Sequence, residues 1–246
     1  YKFILRQTAK RAARIIAVSN ATKEEIMKHL RVKSEKVVVT YEGIDDKLKV
    51  KSQKANVQLK SQKDQYFLYV GNAYPHKNIE LLMKAFNILI RQLADPNINL
   101  VLVGKEDYFY RGLKEKVKEL GLTDNVTFYG EANDEELKML YRNAKALIIP
   151  SLMEGFGLPS LEAMANGCLV LASDIAALRE TCGEAAIYFN PYDTGDLKQK
   201  MLHVFKQVNS SVYRTKQQDG LERAKMFSWR KMAEDTLKIY MEAGNR

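Results

Sequence analysis

The chain has 246 residues, enough for one large domain or for one domain with part of a second. Hydrophobic residues make up 46% of it, and no apolar run approaches the roughly 20 residues that a membrane-spanning helix needs. The formal net charge is +9, and the excess lies in residues 1–63, where sixteen Lys and Arg face six Asp and Glu.

This uneven charge is compatible with attraction to an anionic membrane surface or with solubility alone. It does not indicate nucleic acid binding, because zinc-finger spacing and aromatic RNA-binding signatures are both missing from the sequence. Cys168 and Cys182 show neither metal nor redox spacing, so we expect small core residues in the reducing cytoplasm. The sequence therefore predicts a cytoplasmic protein without a metal site.

The first 43 residues predict few elements. A basic helix over 2–13 and a strand over 14–18 come first. Ser19 is a favoured N-cap residue for a helix that reaches Leu30, and a strand follows over 36–40. These elements are too few for a core of their own, so we interpret 1–43 as the end of a preceding domain with a hinge. Residues 44–65 are polar and Lys-rich, and they predict a linker or long loop.

From residue 66 onward, short apolar runs alternate with helical patterns. The predicted strands span 66–70, 99–103, 125–129, 146–149, 169–172 and 186–189, and the predicted helices span 79–92, 110–120, 134–143, a segment from 158 or 159, and 175–181. Such alternation indicates a parallel sheet covered on both faces. We therefore predict a doubly wound, Rossmann-like α/β domain over 66–227, whose ligands bind beyond the carboxyl ends of the strands.

Residues 228–246 predict a C-terminal amphipathic helix. Six residues share one helical stripe, and we interpret that stripe as a packing face. The stripe consists of Trp229, Met232, Ala233, Thr236, Leu237 and Tyr240.

The segment from Glu154 to Glu162, EGFGLPSLE, carries two carboxylates eight positions apart. Proline is favoured at the first helical position, so a helix is expected to begin near Leu158 or Pro159. The free N–H groups and positive dipole end of that helix can receive an anion such as a diphosphate. Ionised carboxylates accept hydrogen bonds from hydroxyls, so the pattern predicts a nucleotide-sugar site. The alternative is that Glu162 complements the helix dipole and Glu154 is a solvated loop residue.

A second loop, residues 71–78 with the sequence GNAYPHKN, follows the first strand of this domain. Gly71 allows a tight turn, and Pro75 fixes the loop before the next helix. We expect Lys77 to enter that helix at the ligand edge, where an ammonium can pair with phosphate as a point charge. His76 is interpreted as structural or solvated.

Together these motifs resemble the C-terminal half of retaining glycosyltransferases of group 1, also called family 4. That family has the GT-B fold, in which two Rossmann-like domains face each other. Glu154 and Glu162 match its E-x7-E motif, and residues 71–78 match its glycine-loop-lysine segment. Residues 18–45 match its interdomain region, and residues 178–180 match a segment near the end of the site. The matches keep their order and spacing over nearly the whole chain.

By this resemblance, Lys77 would stabilise the diphosphate leaving group and Glu154 would meet hydroxyls of the transferred sugar, so both are candidate catalytic residues. Glu162 would bind the nucleotide ribose. Residues 173–174 and Glu180 are expected neighbours of the site. The expected donor-binding residues, of which 130–132 would lie near the base, are Gly71, Asn72, Lys77, Gly130, Glu131, Ala132, Glu154, Gly155, Phe156, Gly157, Leu158 and Glu162.

The sequence departs from the family pattern in two respects. Asn72 stands where many members carry Arg, so phosphate stabilisation would rest on Lys77, the loop backbone and the helix dipole. Only the end of the family's first, acceptor-binding domain is recognisable, in residues 1–43. We therefore expect that domain either to be missing from a fragment or to be supplied by a separate chain.

The resemblance implies a hexosyltransferase that moves a sugar from a nucleotide diphosphate sugar to a glycan or lipid-linked acceptor, without a cofactor. The form of residues 75–78 resembles mannosyl- and rhamnosyltransferases and favours GDP-mannose over a UDP-sugar. The alternatives are a nucleotide-sugar epimerase, a glycosyl phosphorylase, a donor-binding subunit that is inactive alone, and a purely structural module.

The basic first helix suggests a location. The basic cations are Lys2, Arg6, Lys10, Arg11 and Arg14. Arg6 lies four residues from Lys10, and Lys10 four from Arg14, so these three would share a helix face. With a lipid-linked acceptor, the five cations could hold the protein peripherally on the inner face of an anionic membrane. Equal binding to neutral and anionic vesicles at low salt would contradict this hypothesis.

Overall fold

The computed structural model describes residues 2–44, 65–93, 98–207 and 210–244. A six-stranded parallel sheet forms its centre, with the strand order β5-β4-β3-β6-β7-β8. Its strands are β3 (Gln65–Val70), β4 (Ile98–Val103), β5 (Val126–Gly130), β6 (Ala146–Ile149), β7 (Val170–Ser173) and β8 (Ile187–Phe189). The predicted doubly wound α/β fold is confirmed, and the strands begin or end within one residue of their predicted bounds.

Helices cover both faces of this sheet because its strands are apolar on both sides. Tyr66 and Leu68 belong to one buried cluster, whereas Phe67 and Tyr69 belong to the other. One face is covered by α3 (Ile79–Leu93), α4 (Tyr108–Glu119) and α8 (Thr194–Gln207). The other is covered by α5 (Asp134–Asn143), α6 (Leu158–Ala165), α7 (Ala176–Cys182) and α9 (Ser211–Lys225).

The N-terminal residues form a smaller unit beside this domain. It comprises α1 (Lys2–Arg11), β1 (Ile15–Ala17), α2 (Asn20–Leu30) and β2 (Val37–Val39), and β1 pairs with β2 in parallel. Ser19 caps α2 as predicted, since its side chain accepts a hydrogen bond from the Thr22 N–H. The predicted linker 44–65 lies outside the described residues apart from its two ends, and the domain boundaries stay predictions.

The start of the C-terminal helix α10 (Trp229–Gly244) contacts residues 43 and 44 of the N-terminal unit. Ile44 forms an isolated parallel bridge with Ser228, and a Cβ on Gly43 would lie 2.0 Å from the Trp229 backbone nitrogen. A side chain at position 43 would therefore force the two segments apart.

The prediction that the stripe on α10 is a packing face is wrong within the described residues. Ile239 is the buried residue of this helix, and Met232 and Thr236 are half-buried. Trp229, Ala233, Leu237 and Tyr240 are exposed instead. The periodicity identified an apolar face correctly, but the described chain contacts α10 only along one edge of that face.

No helix among the described residues has the length and apolar character to cross a membrane.

Candidate functional site

The candidate site lies at the carboxyl edge of the sheet, where β3 and β6 are neighbours at its centre. The chain leaves β3 toward β4 on one side and returns through β6 to build the other half, so this is the point where the strand order reverses. Open α/β sheets bind their ligands in the crevice at such a point. The loop 71–78 after β3 meets the loop 150–157 after β6 there, and the second loop carries Glu154.

The structure brings the two candidate catalytic residues into direct contact. Lys77 Nζ lies 2.8 Å from Oε1 and 2.9 Å from Oε2 of Glu154. Their side chains are 18% and 12% exposed, so the ion pair is largely shielded from water. Ser151 Oγ donates a further hydrogen bond of 2.7 Å to Glu154 Oε1. The ammonium, the carboxylate and the hydroxyl thus form one fixed polar group at the switch point.

Backbone contacts between the two loops hold this polar group in place. Leu152 N–H donates to the His76 carbonyl at 2.8 Å, and the Asn78 side-chain amide donates to the Pro150 carbonyl at 3.1 Å. Lys77 does not enter α3 as predicted. It ends a single 3-10 turn over Pro75–Lys77, and Asn78 follows in the left-handed region with a φ of 55°. Asparagine tolerates that conformation, and α3 starts one residue later.

Glu162 lies in the second turn of α6 and faces Tyr141 of α5. The fully buried Tyr141 hydroxyl donates a 2.8 Å hydrogen bond to Glu162 Oε2. Burial raises the pKa of the Glu162 carboxyl, a shift that the Tyr141 hydrogen bond opposes and the charge of Asp134 reinforces. The sequence did not single out Tyr141. Glu162 is therefore a half-buried acceptor whose second oxygen has capacity for a ligand hydroxyl.

Helix α6 begins as predicted, with Leu158 as its first residue and Pro159 in its first turn. Gly157 precedes it with a φ of 95°, and a Cβ there would lie 2.7 Å from Leu178 Cδ2. No side chain of the described residues caps this helix end. The start of α6 therefore keeps backbone N–H groups and a positive dipole end that suit an anion.

Phe156 contributes its backbone to this loop, because its side chain is buried in the core. Its ring centroid lies 5.9 Å from that of Tyr41 and 5.4 Å from that of Phe227. The side chain anchors the loop 150–157, and the expected ligand role of residues 155–157 stays a prediction.

The other donor-binding candidates lie at the ends of β3 and β5, and Gly104 at the end of β4 lies between them. Gly71 N–H donates to the Val103 carbonyl, and Gly104 N–H donates to the Gly130 carbonyl, both at 2.9 Å. Glycine is required at 104, because a Cβ would lie 2.1 Å from the Gly71 carbonyl oxygen. Asn72 is exposed, and its side-chain oxygen accepts from the Tyr74 N–H at 3.3 Å.

Residues 130–132 form the end of this row, two strands from β3. Glu131 is exposed and Ala132 is half-buried against the core cluster under α6. Among the described residues, no hydrogen bond joins 130–132 to Lys77 or Glu154. Their expected position near the base stays a prediction, as do the ligand roles of all the candidates.

The N-terminal unit contacts the loop that carries Glu154, which the sequence did not predict. The Gly155 carbonyl accepts hydrogen bonds from Ser19 Oγ at 2.6 Å and from Thr22 Oγ1 at 2.9 Å. Ser19 is fully buried. The start of α2 therefore holds the backbone directly after Glu154, and a change in the position of α2 would move that loop.

Glu180 was expected beside the ligand, and the structure uses it for the same contact between the units. Its carboxylate accepts from the Asn20 and Ala21 N–H groups at 2.7 and 2.9 Å, and from the Tyr41 hydroxyl at 2.8 Å. It thus occupies the positive end of α2. Of the other expected neighbours, Ser173 is buried and Asp174 forms a bidentate pair with Arg179.

Replacing Glu180 by glutamine is expected to lower the free energy of unfolding by about 1 kcal/mol at pH 7, because the side chain loses its charge at a helix start. Burial raises the pKa of the Glu180 carboxyl, but its hydrogen bonds outweigh that effect and place the pKa below the ordinary 4.5. A carboxyl with a lowered pKa stabilises the fold above 4.5, and this contribution is lost as the pH falls through the folded pKa.

Chemical denaturation of both proteins between pH 3 and pH 7 measures this difference, which should shrink toward acid. Glu184→Gln, in an exposed position four residues away, is the matched control. An equal effect of the two substitutions would show that the contact with α2 contributes no stability.

Among the described residues, no group of three His, Cys, Asp or Glu side chains is placed to hold a metal ion.

The fold and the position of this cleft define a doubly wound α/β domain with a candidate ligand cleft at its switch point. The family model described as glycosyl transferases group 1 matches residues 50–218, and the chain therefore belongs to that family. A second model, described as glycosyltransferase family 4, matches residues 1–48. The resemblance drawn from the sequence motifs is thereby confirmed.

Relatives of known name are similar over most of this chain. The O-antigen chain mannosyltransferase RfbU of Salmonella typhimurium is 38% identical over 194 residues, which are 78% of this chain and 51% of that protein. The MMP α-(1→4)-mannosyltransferase of Mycolicibacterium hassiacum is 30% identical over 243 residues, which are 97% of this chain and 56% of that protein. The chain thus spans about half the length of these relatives.

Solved structures share the fold. The sucrose-phosphate synthase of Thermosynechococcus elongatus superposes with a TM-score of 0.83 at 27% identity, covering 98% of this chain and 61% of that one. The HepE protein of Anabaena, in complex with UDP and glucose, superposes with a TM-score of 0.84 at 19% identity, covering 98% of this chain and 66% of that one. At that identity the HepE comparison shows the fold alone.

Proposed function

We propose that this chain forms the donor-binding half of a retaining hexosyltransferase, which moves a sugar from a nucleotide diphosphate sugar to a glycan or lipid-linked acceptor. The observation that carries this proposal is the shielded Lys77–Glu154 pair, held at the switch point beside the uncapped start of α6. Family membership supports the same reaction class.

In this proposal the chain acts by positioning and by electrostatics. The departing diphosphate gains negative charge, which the Lys77 ammonium and the start of α6 are placed to stabilise. Glu154 then exchanges its ion pair for hydroxyls of the sugar, and Ser151 keeps its carboxylate oriented. Because the two loops are held by backbone hydrogen bonds, this exchange involves the side chains and leaves the loops in place.

We favour GDP-mannose as the donor. The names of the similar proteins support this choice, since RfbU and the Mycolicibacterium relative are both mannosyltransferases. The alternative in which this chain alone binds donor without turnover is supported by its coverage of about half of these relatives.

Isothermal titration calorimetry of this chain with GDP, UDP and ADP tests the proposal. We expect GDP to bind more tightly than the other two, and we expect Lys77→Ala to weaken binding because the substitution removes the cation. Tighter binding of UDP would keep the donor site and exclude GDP-mannose. Failure of all three nucleotides to bind would contradict a complete donor site in this chain.

A further inference from the structure

An exposed group of aromatic rings stands on the other helical face of the sheet, away from α6. Tyr74 comes from the loop after β3, and Tyr108 and Phe109 come from the first turn of α4. They are 45%, 76% and 36% exposed. The Phe109 ring makes edge-to-face contacts with both others, at centroid distances of 5.2 Å to Tyr74 and 5.4 Å to Tyr108. The three rings thus form one continuous aromatic platform.

A rigid frame holds this platform. Asp107 caps α4 by accepting a 2.9 Å hydrogen bond from the Tyr110 N–H. The buried Tyr110 side chain turns inward, and its hydroxyl contacts the carbonyls of Gly71 and Val103 at 2.8 and 3.0 Å. The start of α4 is therefore tied to the loop that carries Tyr74. Rings fixed in this way lose little conformational entropy when a ligand binds.

The platform is continuous with the candidate catalytic loop. The Tyr74 carbonyl accepts a 2.8 Å hydrogen bond from the Lys77 N–H in the 3-10 turn that ends with Lys77. One short turn therefore presents the Lys77 ammonium toward Glu154 and the Tyr74 ring toward Phe109. A molecule bound on the rings would lie beside the place where transfer is proposed.

Below the rings, a groove of about 820 Å³ runs between the starts of α3 and α4. This volume is within the roughly 300–1,000 Å³ of ordinary small-molecule sites. Its polar rim offers both donors and acceptors and carries three charges of each sign, from Glu80, Glu106, Glu115, Arg111, Lys114 and Lys116. Lys114 already pairs with Glu106 at 2.6 Å. A balanced rim favours a neutral ligand rich in hydroxyls over a phosphate or an anionic lipid.

We propose that this groove binds neutral sugar residues of the acceptor glycan. The inference rests on the proposed function and assigns the acceptor a site on the donor-binding half. The C–H face of a sugar ring is apolar and slightly positive, and it packs on the negative face of an aromatic ring. The ring hydroxyls, which point sideways, then reach the rim of carboxylates and cations.

Titration of this chain with α-linked mannotetraose, followed by calorimetry and by NMR, tests the site. We expect binding that weakens by about tenfold or more in the Tyr74→Ala/Phe109→Ala variant, because two stacking surfaces are lost. Tyr74→Phe should bind like the wild type, since it keeps the ring. Tyr240→Ala, an exposed tyrosine on α10, is the control and should also bind like the wild type.

Thermal melting verifies that each variant is folded, and GDP binding is measured in parallel. A failure of mannotetraose to bind, or equal binding by the wild type and the double alanine variant, would overturn the proposal that the groove binds sugar residues. The proposal would also be overturned if the wild type bound neutral phospholipid vesicles instead of mannotetraose and the double alanine variant bound them more weakly. If the wild type does not bind GDP or another nucleotide, the proposed function is contradicted instead, so the two failures are distinguishable.

Discussion

Replacing Lys77 by methionine is expected to lower the kcat of the proposed sugar transfer by about 10²–10³-fold, the usual cost of removing one group that stabilises a developing anion. Methionine keeps most of the side-chain volume but removes the charge. The ammonium is the cation that the described structure fixes at the switch point, 2.8 Å from Glu154. A rate assay with saturating GDP-mannose and a glycan acceptor gives the measurement.

The same substitution leaves the shielded Glu154 carboxylate without its partner, so part of the effect could come from a disturbed loop. The Lys77→Met/Glu154→Gln variant tests for a disturbed loop, because it removes both charges. We expect it to regain thermal stability, and only its stability is compared, since Glu154 is itself a candidate catalytic residue. Lys84→Met, on the exposed side of α3, is the matched control and should keep full activity. Wild-type turnover by Lys77→Met would remove Lys77 from the mechanism.

The elements that could be predicted from the sequence are those with strong local signals. The helices Asp134–Asn143 and Leu158–Ala165 begin where the sequence placed them, because Asn133 and Pro159 are residues that favour helix starts. The sheet followed from apolar runs that are covered on both faces. The position of Lys77 and Glu154 at one edge was also predictable, since parallel strands bring the loops 71–78 and 150–157 together there, and their ligand roles stay predictions.

What could not be predicted depends on contacts between distant segments. The hydrogen bonds from Ser19 and Thr22 to the Gly155 carbonyl join residues more than 130 positions apart, and the local sequence around Ser19 indicates only a helix cap. Glu180 looked like a ligand contact because of its place in the motif, and the structure uses it to cap α2. Ser151 lies only three residues before Glu154, so a hydrogen bond between them was conceivable from the sequence. An isolated serine in a loop, however, has many ordinary explanations.

Replacing Glu162 by glutamine is expected to weaken GDP binding and, at the same time, to raise the stability of the fold at pH 7. If its carboxylate accepts hydroxyls of the nucleotide ribose, the neutral amide should weaken GDP binding by about 10- to 100-fold, as for a lost hydrogen bond to a charged group. Calorimetry on this chain measures that affinity. Asp134→Asn, which changes the neighbouring carboxylate that raises the Glu162 pKa, is the matched control and should bind GDP within a few fold of the wild type.

The stability of Glu162→Gln should change in the opposite direction. Burial raises the folded pKa of Glu162, so its favourable contribution is fully present below the ordinary pKa of 4.5 and is lost as the pH rises through the folded value. At pH 7 the folded wild type therefore carries the cost of a half-buried charge that glutamine does not have. The amide oxygen can still accept from Tyr141, so the variant should melt at a higher temperature at pH 7, and the two curves should converge toward pH 4.

A site residue that is retained at a cost in stability behaves in this way, whereas a residue that only supports the fold does not. A lower melting temperature together with unchanged GDP binding would make Glu162 a structural partner of Tyr141. Weaker binding with a higher melting temperature would instead mean that the burial which destabilises the Glu162 carboxylate also prepares it to accept a ligand hydroxyl.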